Sequence, residues 1–63
     1  MNIDLKGARY DKRMTQTELS EKSGVSRATI VAIEKNPDYN PKIKVLESLA
    51  NALEVPLSRL FLP

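Results

Sequence analysis

The chain has no cysteine, no histidine and no tryptophan among its 63 residues. Without cysteine there is no disulfide and no thiolate metal site, which fits a reducing compartment. Without histidine, imidazole acid–base chemistry and the ordinary zinc sites fall away too. Aromatics are scarce, only Tyr10, Tyr39 and Phe61, so any core must be aliphatic. No apolar run approaches the ~20 residues that span a bilayer. The opening Met1-Asn-Ile-Asp-Leu-Lys lacks the layout of a signal peptide. The expectation is a cytoplasmic protein with no cofactor, no metal, no small-molecule ligand and no membrane association. Catalysis is not expected either. The serines at 20, 23, 26, 48 and 58 are accounted for by caps and helix surfaces, and the eight carboxylates form no evident dyad.

What is present is modestly basic. The net charge is +2 and the pI about 9.2, which permits nucleic-acid binding without demanding it. Residues 1–35 carry seven Lys/Arg against five Asp/Glu, and residues 36–63 carry three of each. A surface facing a polyanion should therefore draw mostly on the first half.

Gly24, Asn36-Pro37, Asn40-Pro41 and Pro56 cut the chain into helix-sized pieces. A first helix is predicted from about Ile3 to Arg13, with Leu5, Ala8 and Arg9 on one face. Thr15-Gln-Thr-Glu18 has the form of a capping box, in which residues 15 and 18 satisfy each other's amides. Met14 precedes it as an apolar staple. A second helix should span Gln16 to Ser23 and end at Gly24, which adopts the left-handed terminator conformation at little cost. Ser26 is a natural N-cap for a third helix, Arg27 to Lys35. Pro41 can open a fourth, with Ile43, Leu46, Leu49, Ala50 and Leu53 as its buried stripe. Leu57 to Leu62 reads as a short fifth helix. No stretch alternates long enough to suggest a strand. Leu19, Val25, Ile30, Ile33, Leu46, Leu49, Leu53 and Leu60 make up the expected core.

The third helix has small and polar residues, Arg27, Ala28, Thr29 and Ala32, on one side and is anchored by Ile30 and Ile33. That pattern suits a helix lying in the DNA major groove. The run Thr15-Gln16-x-x-Leu19-Ser20-x-x-x-Gly24-Val25-Ser26-x-x-x-Ile30-x-x-Ile33-Glu34 resembles the helix-turn-helix domain of the phage repressor and Cro class, the XRE family. The likeness continues through Asn40-Pro41, Leu46, Leu49-Ala50-x-Ala52-Leu53-x-Val55-Pro56-Leu57 and Leu60-Phe61. It implies one all-α domain over residues 1–63, a compact five-helix, lambda-repressor-like fold whose second and third helices form the motif.

The resemblance implies base reading at Ser26, Arg27, Ala28 and Ala32, with Thr29 as a further candidate. By its chemistry Arg27 suits guanine O6 and N7, and the alanine methyls suit thymine. Its bland alternative is a solvated helix charge. Gln16 matches a residue that contacts the DNA backbone and braces the reading helix. Arg13 and Thr15 are candidates for phosphate on one side, and Lys35, Asn36, Tyr39, Asn40 and Lys42 on the other. For each of the latter five an ordinary loop role is an equal reading. Arg9 and Glu34 match a partly buried ion pair that is structural. Three positions depart from the family: Ser20 replaces the usual alanine where the motif helices cross, Arg13 a common glycine, and Pro37 and Tyr39 the usual loop residues.

The function implied is a sequence-specific, double-stranded DNA-binding transcriptional regulator. In its fullest form this is a repressor that binds a palindromic operator as a homodimer. Leu57, Leu60, Phe61 and Leu62, in the segment ending at Pro63, are the candidate dimer patch, with closure of the core as the alternative. The competing function is a protein-interaction module, an antitoxin or anti-repressor partner for which DNA is secondary.

Overall fold

The computed structural model describes residues 3–62; Met1, Asn2 and Pro63 lie outside the described residues. Four α-helices follow one another, α1 (Leu5–Asp11), α2 (Gln16–Ser23), α3 (Arg27–Lys35) and α4 (Ile43–Leu53). A single 3-10 turn, Leu57–Leu60, stands where a fifth helix was expected. The helix cannot continue because the chain is claimed by a backbone pairing. Phe61 is extended (φ −105°, ψ 136°) and forms an antiparallel bridge with Ile3, and Asp4 N donates to the Leu60 carbonyl at 2.7 Å.

The same pairing shortens α1 from its expected Ile3–Arg13. Ile3 belongs to the bridge, and Asp4 caps the helix by accepting from Gly7 N at 3.1 Å. The Asp4 carboxylate lies so close over Gly7 that a Cβ there would collide with it. At the other end Arg13 turns left-handed (φ 54°), and Met14 N returns to the Arg9 carbonyl. Arg59 reaches from the 3-10 turn to Asp4 (3.2 Å) and Asp11 (2.6 Å), tying both ends of α1 to the C-terminal segment.

The bounds of α2 and α3 match those read from the sequence, and their caps form as expected. Thr15 Oγ1 accepts from Glu18 N, while Thr15 N donates to the Glu18 carboxylate. Gly24 closes α2 at φ 77°, and Ser26 Oγ accepts from Thr29 N. Ser20 does more than fit the crossing. Its hydroxyl donates to the Val25 carbonyl at 2.7 Å, and Val25 N donates to Ser23 Oγ, so both sides of the turn are held by serines.

The described core comprises Leu5, Ala8, Leu19, Ile30, Ile33, Leu46, Leu49, Ala50, Leu53 and Leu60. Met14, Val25, Leu57 and Phe61 pack against it while half-buried. Burying each of the leucines fully stabilises the fold by ~1.5–3 kcal/mol relative to exposure. Two expectations need correction. Ile43 occupies the first position of α4, is 55% exposed and lies outside the stripe; the buried residue at that end is Pro41, which precedes the helix. Of the candidate dimer patch, Leu60 is wholly buried and only Leu62 is exposed, because the bridge and the 3-10 turn fold the segment onto the core. α2 packs on α3 and α4, while α1 and the 3-10 turn close the remaining sides. Among the described residues no helix is long and apolar enough to cross a membrane.

Candidate nucleic-acid interface

Ile30 and Ile33 sink into the core and fix which side of α3 faces outward. At its N-terminal end Ser26, Arg27 and Ala28 are exposed, with Thr29 and Ala32 half-buried beside them. Arg27 has no ion pair among the described residues. Ser26 is less available, since its hydroxyl donates to Thr29 Oγ1 at 2.9 Å while accepting from the Thr29 amide. The two hydroxyls are thus locked to each other as a cap.

Beneath the outer face, α3 is tied to α1 and α2 by one buried network. Arg9 Nε donates to Glu34 Oε2 at 2.8 Å, and a terminal guanidinium nitrogen donates to Oε1 at 2.9 Å. A third bond runs from Arg9 to the Met14 carbonyl at 2.9 Å, and Gln16 Nε2 donates to Glu34 Oε1 at 3.1 Å. The two charged side chains are only 8% and 4% exposed. The hydrogen bonds to Glu34 raise the Arg9 pKa above its ordinary value, although burial pulls it the other way. Gln16 therefore braces α3 directly. No buried polar side-chain atom among the described residues lacks a partner.

This network floors an open depression of about 380 Å3. Lys6, Arg9 and Tyr10 line it from α1, Thr15, Gln16 and Thr17 from the start of α2, and Arg27, Glu34 and Lys35 from α3. Six residues singled out in the sequence, Arg9, Thr15, Gln16, Arg27, Glu34 and Lys35, thus meet at one place. Others do not. Asn36 and Tyr39 line a second depression of about 210 Å3 with Ile3, Ile33, Pro37 and Leu62, which shares Glu34 with the first. The Asn36 side chain accepts from Asp38 N at 3.0 Å, which commits it to organising its own turn. Arg13, Asn40 and Lys42 are exposed and line neither depression.

Lys6 and Tyr10 carried no site role in the sequence reading. The available signal was their spacing, since residues four apart on a helix share a face.

The family model described as helix-turn-helix matches residues 5–60. The immunity repressor protein of Bacillus phage phi105 is 37% identical over 54 residues, covering 86% of this chain but only 37% of the repressor. An uncharacterized HTH-type transcriptional regulator of Methanocaldococcus jannaschii is 39% identical over 62 residues, covering 98% of this chain and 92% of that protein. Among solved structures, a mutant of a restriction-modification controller protein superposes with a TM-score of 0.76 at 42% identity, over 82% of this chain and 68% of its own. A chain of the SinR/SinI complex does so with a TM-score of 0.79 at 34% identity, over 87% and 53% respectively. With a family match from Leu5 to Leu60 and the motif's caps, turn and buried brace in place, this chain belongs to the helix-turn-helix family of the XRE, or phage repressor and Cro, type of transcriptional regulators.

Proposed function

We propose that this chain is a sequence-specific DNA-binding repressor acting in the cytoplasm, a single domain that grips duplex DNA with α3 in the major groove. The observation that carries this reading is the exposed N-terminal end of α3, where Arg27 and Ala28 face outward while Ile30 and Ile33 hold the helix from behind. Arg27 reads guanine O6 and N7. Ala28 and Ala32 meet thymine methyls, with Ser26 and Thr29 beside them. Thr15, Gln16 and Lys35 face the phosphates around the depression, and Arg13, Asn36, Tyr39, Asn40 and Lys42, which lie outside it, are the more distant phosphate candidates. With two alanines at reading positions, specificity leans on Arg27, methyl contacts and DNA shape.

One copy covers only a half-site, so the regulator is read as a homodimer on a palindromic operator. The depression that Ile3, Pro37, Tyr39 and Leu62 line beside Glu34 and Asn36 supports that reading better than the 3-10 turn does, because Leu62 is 50% exposed and Leu60 is buried. Selection from a randomised duplex pool tests the whole proposal. An inverted repeat with about ten base pairs between half-site centres is the expected result. No enrichment over background would overturn specific binding, and an enriched single half-site would overturn the dimer.

A further inference from the structure

We infer that α1 supplies a further contact element, with the Lys6 ammonium and the Tyr10 hydroxyl seated against the phosphodiester backbone of the duplex that α3 reads. The inference rests on the proposed DNA-binding function and extends it to two residues that function does not use.

Tyr10 is the most exposed of the large apolar side chains described, at 60%, so the core does not account for it. Its position is nevertheless held. The Arg9 guanidinium carbon lies 4.8 Å from the ring centroid and the Lys6 Nζ 5.7 Å, each within cation–π range. Arg9 is itself pinned by Glu34 and the Met14 carbonyl, so the ring leans on a fixed support.

Charge names the occupant. Lys6, Arg27 and Lys35 all line the depression, and the one carboxylate there among the described residues, Glu34, is neutralised by Arg9 and bonded by Gln16. What remains is an open, cation-rimmed concavity with an aromatic hydroxyl on its wall and no free acid. That chemistry complements a phosphodiester, for which ammonium, guanidinium and tyrosine hydroxyl are all ordinary donors. α1 packs on α3, so Lys6 and Tyr10 keep a set position relative to Arg27. A duplex seated on Arg27 therefore brings its backbone to them.

Fluorescence anisotropy with a short labelled duplex of mixed sequence, titrated over a range of KCl, tests this directly. Each phosphate neutralised contributes ~0.9 to the slope of log affinity against log salt. Lys6→Ala and Lys6→Gln should each reduce the slope by about that amount, weaken all duplexes equally and leave the melting temperature alone. Tyr10→Phe keeps the ring on its cations but removes the hydroxyl. It should weaken binding several-fold with an unchanged slope and melt. If the wild type binds and Arg27→Ala weakens it, yet Lys6→Ala, Lys6→Gln and Tyr10→Phe bind like the wild type, this inference alone falls. If the wild type binds no duplex at any salt, the DNA-binding function falls and takes the inference with it.

Discussion

Replacing Glu34 by alanine strands Arg9 inside the fold. The guanidinium loses its bonds at 2.8 and 2.9 Å and keeps only the Met14 carbonyl, with its side chain 8% exposed. It cannot escape by deprotonating, because arginine stays charged in proteins. Removing one partner of a buried pair typically costs ~3–5 kcal/mol. Gln16 also loses an acceptor, but it is half-buried and can turn toward water, so it adds little. At ~0.05–0.15 kcal/mol per residue, a chain of this size holds roughly 3–9 kcal/mol in all. One substitution therefore removes a large share of the total. With ~4–8 °C per kcal/mol for small domains, the melt should fall by at least ~12 °C. Thermal and urea denaturation followed by circular dichroism would measure it. Glu34→Gln, which keeps an acceptor but loses the charge, should fall between. Arg9→Met combined with Glu34→Leu should recover most of the loss, since no charge is left unpaired. A Glu34→Ala melt that does not move, or a double variant no better than the single, would refute the reasoning.

Arg13 and Glu54 sit in the left-handed region at φ 54° and 58°, which for a non-glycine residue costs of order 1 kcal/mol. Arg13→Gly and Glu54→Gly should each raise the melting temperature by a few degrees, net of glycine's extra chain entropy. Only Arg13→Gly should also weaken DNA binding and flatten its salt dependence; equal binding by both would remove Arg13 from the phosphate contacts. Arg27→Ala should cost ~1–3 kcal/mol of binding and relax preference at one base pair, read by competition among operator variants. The Glu18 carboxyl is held below its ordinary 4.5 by the Thr15 amide and hydroxyl. A depressed native pKa means its contribution is present above the ordinary value and lost as pH falls through the native one. Glu18→Gln should therefore lose less stability than wild type between pH 4.5 and more acidic conditions, and parallel curves would deny the cap that role.

The parts legible in the sequence are those governed by near neighbours. Thr15 with Glu18, Gly24, and Ser26 with Thr29 each act within a few residues, so the bounds of α2 and α3 could be read directly. Arg9 and Glu34 are 25 residues apart, and only family resemblance joined them beforehand. The bridge of Ile3 with Phe61 left no trace, because one paired residue on each side makes no alternating pattern. Missing it led to two overextended helices and an overestimated dimer patch. Ile43 misled for a related reason. Periodicity assigns a face to each residue but does not say where along the helix the core stops. The alignment of Lys6 with Tyr10 was visible, whereas the support from Arg9 and the neighbouring cations emerges only when α1 packs on α3.

The bridge also bears on how the chain could be rewired. Residues 3 and 61 already face each other across the bridge, beside the Asp4–Leu60 hydrogen bond, so a short linker joining the two ends would close a ring with little entropy left to lose. New ends could then be opened at residues 36–40, which are exposed and follow α3. Such a circular permutant would carry α4 and the 3-10 turn ahead of α1, α2 and α3, with the recognition motif uninterrupted. Chain order would change while α2, α3 and the brace between Arg9 and Glu34 stayed whole, and only the phosphate contacts proposed for residues 36–40 would be disturbed.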